Sequence, residues 1–125
     1  MALAALKAGM AFSNTKTALA HSISYEMTLR YGLPHGIACS FLLPMVLERA
    51  IGRRADRDAV LREALGMPLA EAPQQLAAFI ESLGVKTRFA DYGVGEDEAR
   101  EMLLHAQGGA RGKNFIGNDL AENQA

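Results

Sequence analysis

At 125 residues, half of them hydrophobic and dispersed along the chain, the sequence fits one domain with a real core, and no apolar run approaches the roughly 18 residues of a membrane span. A net charge of -1 with no long single-sign run points away from nucleic acid and from a membrane surface. The single cysteine, Cys39, excludes an internal disulfide; with no signal-peptide layout at the N-terminus, the expected setting is reducing and cytoplasmic.

Residues 2–12, rich in Ala and Leu, predict a helix. No Ser, Thr, Asp or Asn precedes it to cap its free N–H groups, which suggests a natural chain that continues upstream. Ser13, Asn14 and Thr15 carry cap chemistry and are expected to separate this helix from the next. Ala18, Leu19 and Ser22 recur near helical spacing up to Tyr31, and Gly32, with Pro34 two residues on, fits a left-handed C-cap. His35 then opens an apolar helix running to about Arg49, with Ile37, Phe41, Leu42 and Met45 on one face. Pro44 inside it should kink the helix or start a new turn.

Gly52-Arg53-Arg54 ends that segment, and Asp56 is expected to cap a short helix at 57–65 with Val60, Leu61, Ala64 and Leu65 inward. After a loop at Gly66-Met67-Pro68, the spacing of Leu76, Phe79, Ile80 and Leu83 predicts a helix over about 70–83, with Pro73 in its first turn and Gly84 at its end. Residues 85–95 read as a connector anchored by Phe89 and Tyr92. Glu96, Asp97 and Glu98 place acids where a helix dipole favours them, and Ala99, Met102, Leu103 and Ala106 form the buried stripe that follows. Residues 107–118 are Gly-rich and loop-like, and Asn118 or Asp119 resembles a cap for a helix the chain does not contain. Period-two alternation is nearly absent, so the expectation is an all-α, multihelical array with both ends cut.

The chemical lead is His21 and His35, fourteen positions apart. Neutral imidazole suits transition metals. In one unbroken helix the two would lie roughly 21 Å apart, far beyond the reach of one ion, but the break at Gly32-Leu33-Pro34 lets the chain double back. Two histidines also fall short of the three or four protein ligands of a usual site. On the residues alone two readings stay open: a shared metal, or two half-buried histidines at helix ends, one capping and one packed.

Tyr25 lies one turn after His21 on the same face, placed either to donate a hydrogen bond to a substrate oxygen or to pack in the core. Cys39, in an apolar helix without a nearby charge, reads as an inert buried thiol. His105 has no evident partner and reads as structural or surface. Gly108-Gly109-Ala110-Arg111-Gly112-Lys113-Asn114 fails the phosphate-loop spacing and reads as a mobile surface loop; no dinucleotide fingerprint is present.

Ala8-Gly9-Met10-Ala11-Phe12-Ser13-Asn14-Thr15, Ala18-Leu19-Ala20-His21, Tyr31-Gly32-Leu33-Pro34-His35-Gly36-Ile37-Ala38 and Leu42-Leu43-Pro44 together resemble the iron-containing (group III) alcohol dehydrogenases. The likeness is close over residues 8–50 and looser beyond, at Leu83-Gly84-Val85 and Tyr92-Gly93-Val94. It implies a dehydroquinate synthase-like, two-domain enzyme in which residues 1–125 are the helical metal-binding domain and the NAD or NADP domain lies outside this chain. It also implies a divalent metal, Fe²⁺ or else Zn²⁺, held by one Asp and three His. By position His21 and His35 match the last two histidines, while the Asp and the first His belong upstream. Tyr25 stands where many members carry a second histidine near the nicotinamide, which puts that residue's proton relay in doubt. The implied reaction is reversible hydride transfer between a small alcohol and its aldehyde; the Ser-Ile-Ser-Tyr wording hints at phosphonate-linked aldehydes.

Two other readings compete. One is a helical scaffold or interaction module without activity of its own. The other is part of a related metal-dependent lyase or polyol phosphate dehydrogenase. The apolar N-terminal helices further predict a homo-oligomer, a dimer or higher, which a monomeric sedimentation profile across concentrations would refute.

Overall fold

A computed structural model describes residues 1–118, which form seven α-helices and two 3-10 turns with no strand among them. The all-α expectation holds for these residues. None of their helices is long and apolar enough to cross a membrane.

The first helix, α1 (Ala2–Phe12), starts from an uncapped Met1 and buries none of its residues; Leu3, Leu6, Met10 and Phe12 are all more than half exposed. Ser13, Asn14 and Thr15 turn back on it. The Ser13 hydroxyl and the Asn14 amide donate to the Met10 carbonyl at 2.7 and 3.1 Å, and the Thr15 hydroxyl to that of Phe12 at 3.4 Å. They close α1 rather than cap the next helix, because the last carbonyls of a helix lack partners and these short side chains lie nearest to them. The second helix, α2 (Leu19–Tyr31), begins at Ala18 with no side-chain cap.

The core is built around α2. Leu19, Ile23 and Met27 follow one another at four-residue spacing and are fully buried. Gly32 ends the helix as expected, at φ 68°. Its N–H donates to the Thr28 carbonyl at 3.1 Å and that of Leu33 to Met27 at 3.3 Å, the paired bonds that close a left-handed C-terminus. Leu33 is buried in the core and pins the turn.

Two helices stand where one was expected from His35 to Arg49: α3 (His35–Ser40) and α4 (Leu43–Ala50). Pro44 has no N–H to give and its ring would crowd the carbonyl four residues back, so it starts α4 rather than continuing α3. The break turns Phe41 and Leu42 into the core. Phe41 meets Phe89 and Tyr92 edge-to-face, with ring centroids 5.3 and 5.1 Å away, so both expected anchors are in place. They sit on a 3-10 turn over Phe89–Tyr92, where the Tyr92 hydroxyl donates to the Lys86 carbonyl at 2.8 Å.

Farther out the packing thins. In α5 (Ala55–Leu65) Asp56 lies in the first turn, its carboxylate held by Arg54 at 2.8–3.0 Å, and Arg54 occupies the cap position. The expected inward face is not covered: Val60 and Ala64 are exposed, Leu61 and Leu65 only half-buried. In α6 (Ala72–Ser82) Ile80 is buried and Leu76 half-buried, but Phe79 and Leu83 are 60 % and 66 % exposed. This helix rests chiefly on α4, and a single neighbour covers only the line Ala72–Leu76–Ile80.

The last helix, α7 (Glu96–Gly108), buries Ala99, Met102 and Ala106 as expected and lies across α2. Arg30 bridges Glu26 of its own helix and Glu98 of α7. The segment after α7 is exposed over Ala110, Arg111, Lys113 and Asn114, as a surface loop would be, but it is anchored at Gly112 and beyond. Gly112, Phe115, Gly117 and Asn118 are buried, and the Asn118 amide donates to the carbonyls of Gln107 and Gly112 at 3.0 and 3.1 Å. A methyl on Gly112 would fall on the backbone oxygens of Ala106 and Gln107, so close backbone approach requires glycine there. The alternative cap Asp119, and any helix after it, lie outside the described residues.

Candidate metal centre

The turn at Gly32-Leu33-Pro34 brings the first turn of α2 beside the start of α3. His21 is the third residue of α2 and His35 the first of α3. Their rings meet edge-on, with centroids 5.4 Å apart at 72°. The separation that a single helix would have imposed is thus abolished by one left-handed glycine and one proline.

Cys39 joins them. It follows His35 by four residues on α3, on the same face, and its Sγ lies 3.6 Å from His35 Nε2 and 3.9 Å from Nδ1. Ligand-competent atoms of His21, His35 and Cys39 all lie within 4.8 Å of one another. His21 and Cys39 are half-buried and His35 is exposed, so the cluster opens outward. The expectation of a buried thiol is therefore corrected: Cys39 is half-buried and lies beside an imidazole.

Tyr25 shares the face of His21, with its ring 6.2 Å from that of His35 and the residue 44 % exposed, so it is a rim residue and not a core tyrosine. Over its ring sits the Arg111 guanidinium, 5.0 Å from the centroid. Arg111 also donates from Nε to the Thr17 hydroxyl at 3.1 Å, and Asn114 donates to the Thr17 carbonyl at 3.0 Å. The Gly-rich return segment thus reaches the edge of the histidine cluster. His105 does have a partner, Glu26, at 2.8 Å from its Nδ1, on the side where α2 meets α7.

Two borderline nitrogen donors and one soft sulfur form a set whose chemistry suits Fe, Zn or Co rather than Mg or Ca, and they number three where a tetrahedral ion takes four. The side chains present therefore fit a divalent transition metal.

The model for the C-terminal part of the Fe-containing alcohol dehydrogenase family matches residues 1–118. The chain belongs to this family. All the residues on which the resemblance rested, Ala8 to Pro44, fall in the matched range, and the all-α fold is that expected for the family's C-terminal region. A 1,3-propanediol dehydrogenase of Citrobacter freundii is 31 % identical over 105 residues, 77 % of this chain and 27 % of that protein. An NAD-dependent methanol dehydrogenase of Bacillus methanolicus is 32 % identical over 115 residues, 85 % of this chain and 30 % of that protein. A 1-propanol dehydrogenase of Salmonella typhimurium reaches 42 % over 67 residues, 52 % of this chain and 18 % of that protein. The chain thus spans less than a third of the length of these alcohol dehydrogenases. No solved structure matches significantly.

Cys39 in the cluster and Arg111 at its edge are not site residues in the sequence reading. Cys39 carried a signal, its four-residue spacing from His35 on a helix. Arg111 carried none, since it and Thr17 are 94 residues apart and only the fold joins them.

Proposed function

We propose that this chain is the helical, metal-binding part of an NAD(P)-dependent alcohol dehydrogenase acting on a small alcohol or aldehyde. The observation that carries this reading is the convergence of His21 and His35, at the motif positions of the family, into one cluster of metal-competent donors. The nicotinamide-binding domain, and the Asp and further His that complete the ligand set, would belong to the part of the relatives that this chain does not share. Fe²⁺ and Zn²⁺ both suit imidazole donors.

When bound, the metal supplies Lewis-acid polarisation of the alcohol oxygen, and nicotinamide carries the hydride. The chain's own residues hold and shape the site. His21 and His35 set the donor positions from two helices fixed by the buried Leu33 and Phe41. Tyr25, at the rim beside His35, is placed to donate a hydrogen bond to a substrate oxygen. Arg111 stacks on the Tyr25 face and limits its swing, an interaction worth about 0.5–1 kcal/mol at an exposed site. The exposed apolar residues of α1 support self-association of the chain as part of the same reading.

The test is the affinity of the purified chain for Fe²⁺ and Zn²⁺, compared with His21→Ala and His35→Ala. Stoichiometric binding that weakens at least about ten-fold in each variant supports the reading, since loss of a ligand should cost no less than loss of an outer-shell partner. Equal affinity in all three proteins would refute it and leave the competing reading, a helical module without a metal centre.

A further inference from the structure

We propose that Cys39 is itself a metal donor, so that His21, His35 and Cys39 form an N₂S site within this one chain. This rests on the metal-centre reading above and adds a ligand of a different chemical class to it.

Geometry is the first argument. A tetrahedral zinc-sized ion with metal–nitrogen bonds of about 2.05 Å and a metal–sulfur bond of about 2.3 Å holds its nitrogen and sulfur donors about 3.6 Å apart. The Sγ of Cys39 lies 3.6 Å from Nε2 of His35. The distance matches, but with Nδ1 at 3.9 Å the sulfur stands beside the ring rather than along the Nε2 lone pair, so a turn of the exposed His35 side chain is what brings both donors onto one ion. A thiol–imidazole hydrogen bond tolerates the same distance, but it needs only His35. It does not account for His21, which approaches from another helix and completes a cluster whose donors all lie within 4.8 Å.

The second argument is rigidity. His35 and Cys39 are one turn apart on α3, so their relative position is set by helix geometry and not by loop closure. Between them Ala38 is fully buried, and Phe41, at the end of the same helix, is locked between two aromatic rings. The face carrying the two donors therefore cannot rotate without disrupting the core.

A chemical consequence follows. Thiolate is a softer donor than imidazole or carboxylate, and it biases a site toward Zn²⁺ and Co²⁺ over Fe²⁺. The chain should accordingly prefer Zn²⁺ to Fe²⁺ under reducing conditions.

The experiment is a Co²⁺ titration of the 125-residue chain under reducing, oxygen-free conditions. It is repeated with Cys39→Ser, Cys39→Ala and the double variant His21→Ala/His35→Ala, each checked for its far-ultraviolet dichroism. The expected result is ligand-field absorption together with a sulfur-to-cobalt charge-transfer band in the near ultraviolet. Both Cys39 variants should lose the charge-transfer band and bind Zn²⁺ at least about ten-fold more weakly. Saturable Co²⁺ binding without that band, unchanged in affinity by Cys39→Ser, overturns the proposal while leaving the histidine site intact. Binding no tighter than in the double histidine variant overturns the proposal and the reading beneath it.

Discussion

Replacing Phe41 by Ala should cost far more stability than replacing Phe79, although both residues fall on helical apolar patterns. Phe41 is fully buried, whereas Phe79 is 60 % exposed. A buried Phe→Ala change costs about 3–5 kcal/mol. Phe41 also loses two edge-to-face contacts, each worth about 0.5–1.5 kcal/mol beyond burial, which places it at the upper end, about 4–5 kcal/mol. Phe79 keeps less than half of its burial, so about 1 kcal/mol is at stake there. Domains have about 5–15 kcal/mol in all, so Phe41→Ala removes about a quarter or more of the total. At about 3–5 °C per kcal/mol for this chain length, the Tm falls by about 12–25 °C for Phe41→Ala and by no more than about 5 °C for Phe79→Ala. Urea titrations followed by far-ultraviolet dichroism measure both. Since Phe41 ends the helix that carries His35 and Cys39, Phe41→Ala should also weaken Zn²⁺ binding in its folded state. Equal losses in the two variants would refute the assignment of α6 as a one-sided helix. A loss below about 1.5 kcal/mol for Phe41→Ala would refute its place in the core.

Gly112→Ala should destabilise by about 1–3 kcal/mol through overpacking, because its methyl meets backbone oxygens that cannot rotate away, whereas Gly108→Ala, with open space around it, should change stability by less than about 1 kcal/mol; midpoints of urea unfolding separate the two. The Asp91 carboxyl is held below its ordinary value of 3.8 by the hydrogen-bonded Arg88 guanidinium beside it. Its folded-state value is the depressed one, so the pair's stabilisation is complete above that ordinary value and is lost as pH falls below it. The stability gap between the native chain and Arg88→Ala should therefore be steady at neutral pH, close as pH falls below about 4, and shrink in high salt because Arg88 is largely exposed. A gap that persists at pH 2 would contradict this pairing.

The local grammar of this chain was readable in advance. Ala- and Leu-rich runs, left-handed glycines at Gly32 and Gly84, and acids at the start of α7 act within one or two turns, so they mark helices without knowledge of neighbours. Pro44 was legible as a break, and so were Phe89 and Tyr92 as anchors, because large aromatics in a connector have little else to do than pack. Faces were read less well. Val60, Phe79 and Leu83 satisfy a helical period and still lie exposed, since periodicity states which residues share a side but not whether anything covers it. The Gly-rich return after α7 lies on the surface as read, but Gly112 does not follow that reading, for a related reason: glycine signals either freedom or close approach, and the carbonyls of Ala106 and Gln107 decide for the second at that position.

What the sequence determined by itself was the helical class, the turn at Gly32-Leu33-Pro34 and the family motif around His21 and His35. Their meeting was decided by tertiary structure, as were the approach of Cys39 to His35 and the reach of Arg111 to Tyr25. The physical reason is one of range. Backbone conformation answers to neighbours a few residues away, while a site answers to distances set by helices packing on a shared core, here α2 and α3 held together by Leu33, Ala38 and Phe41.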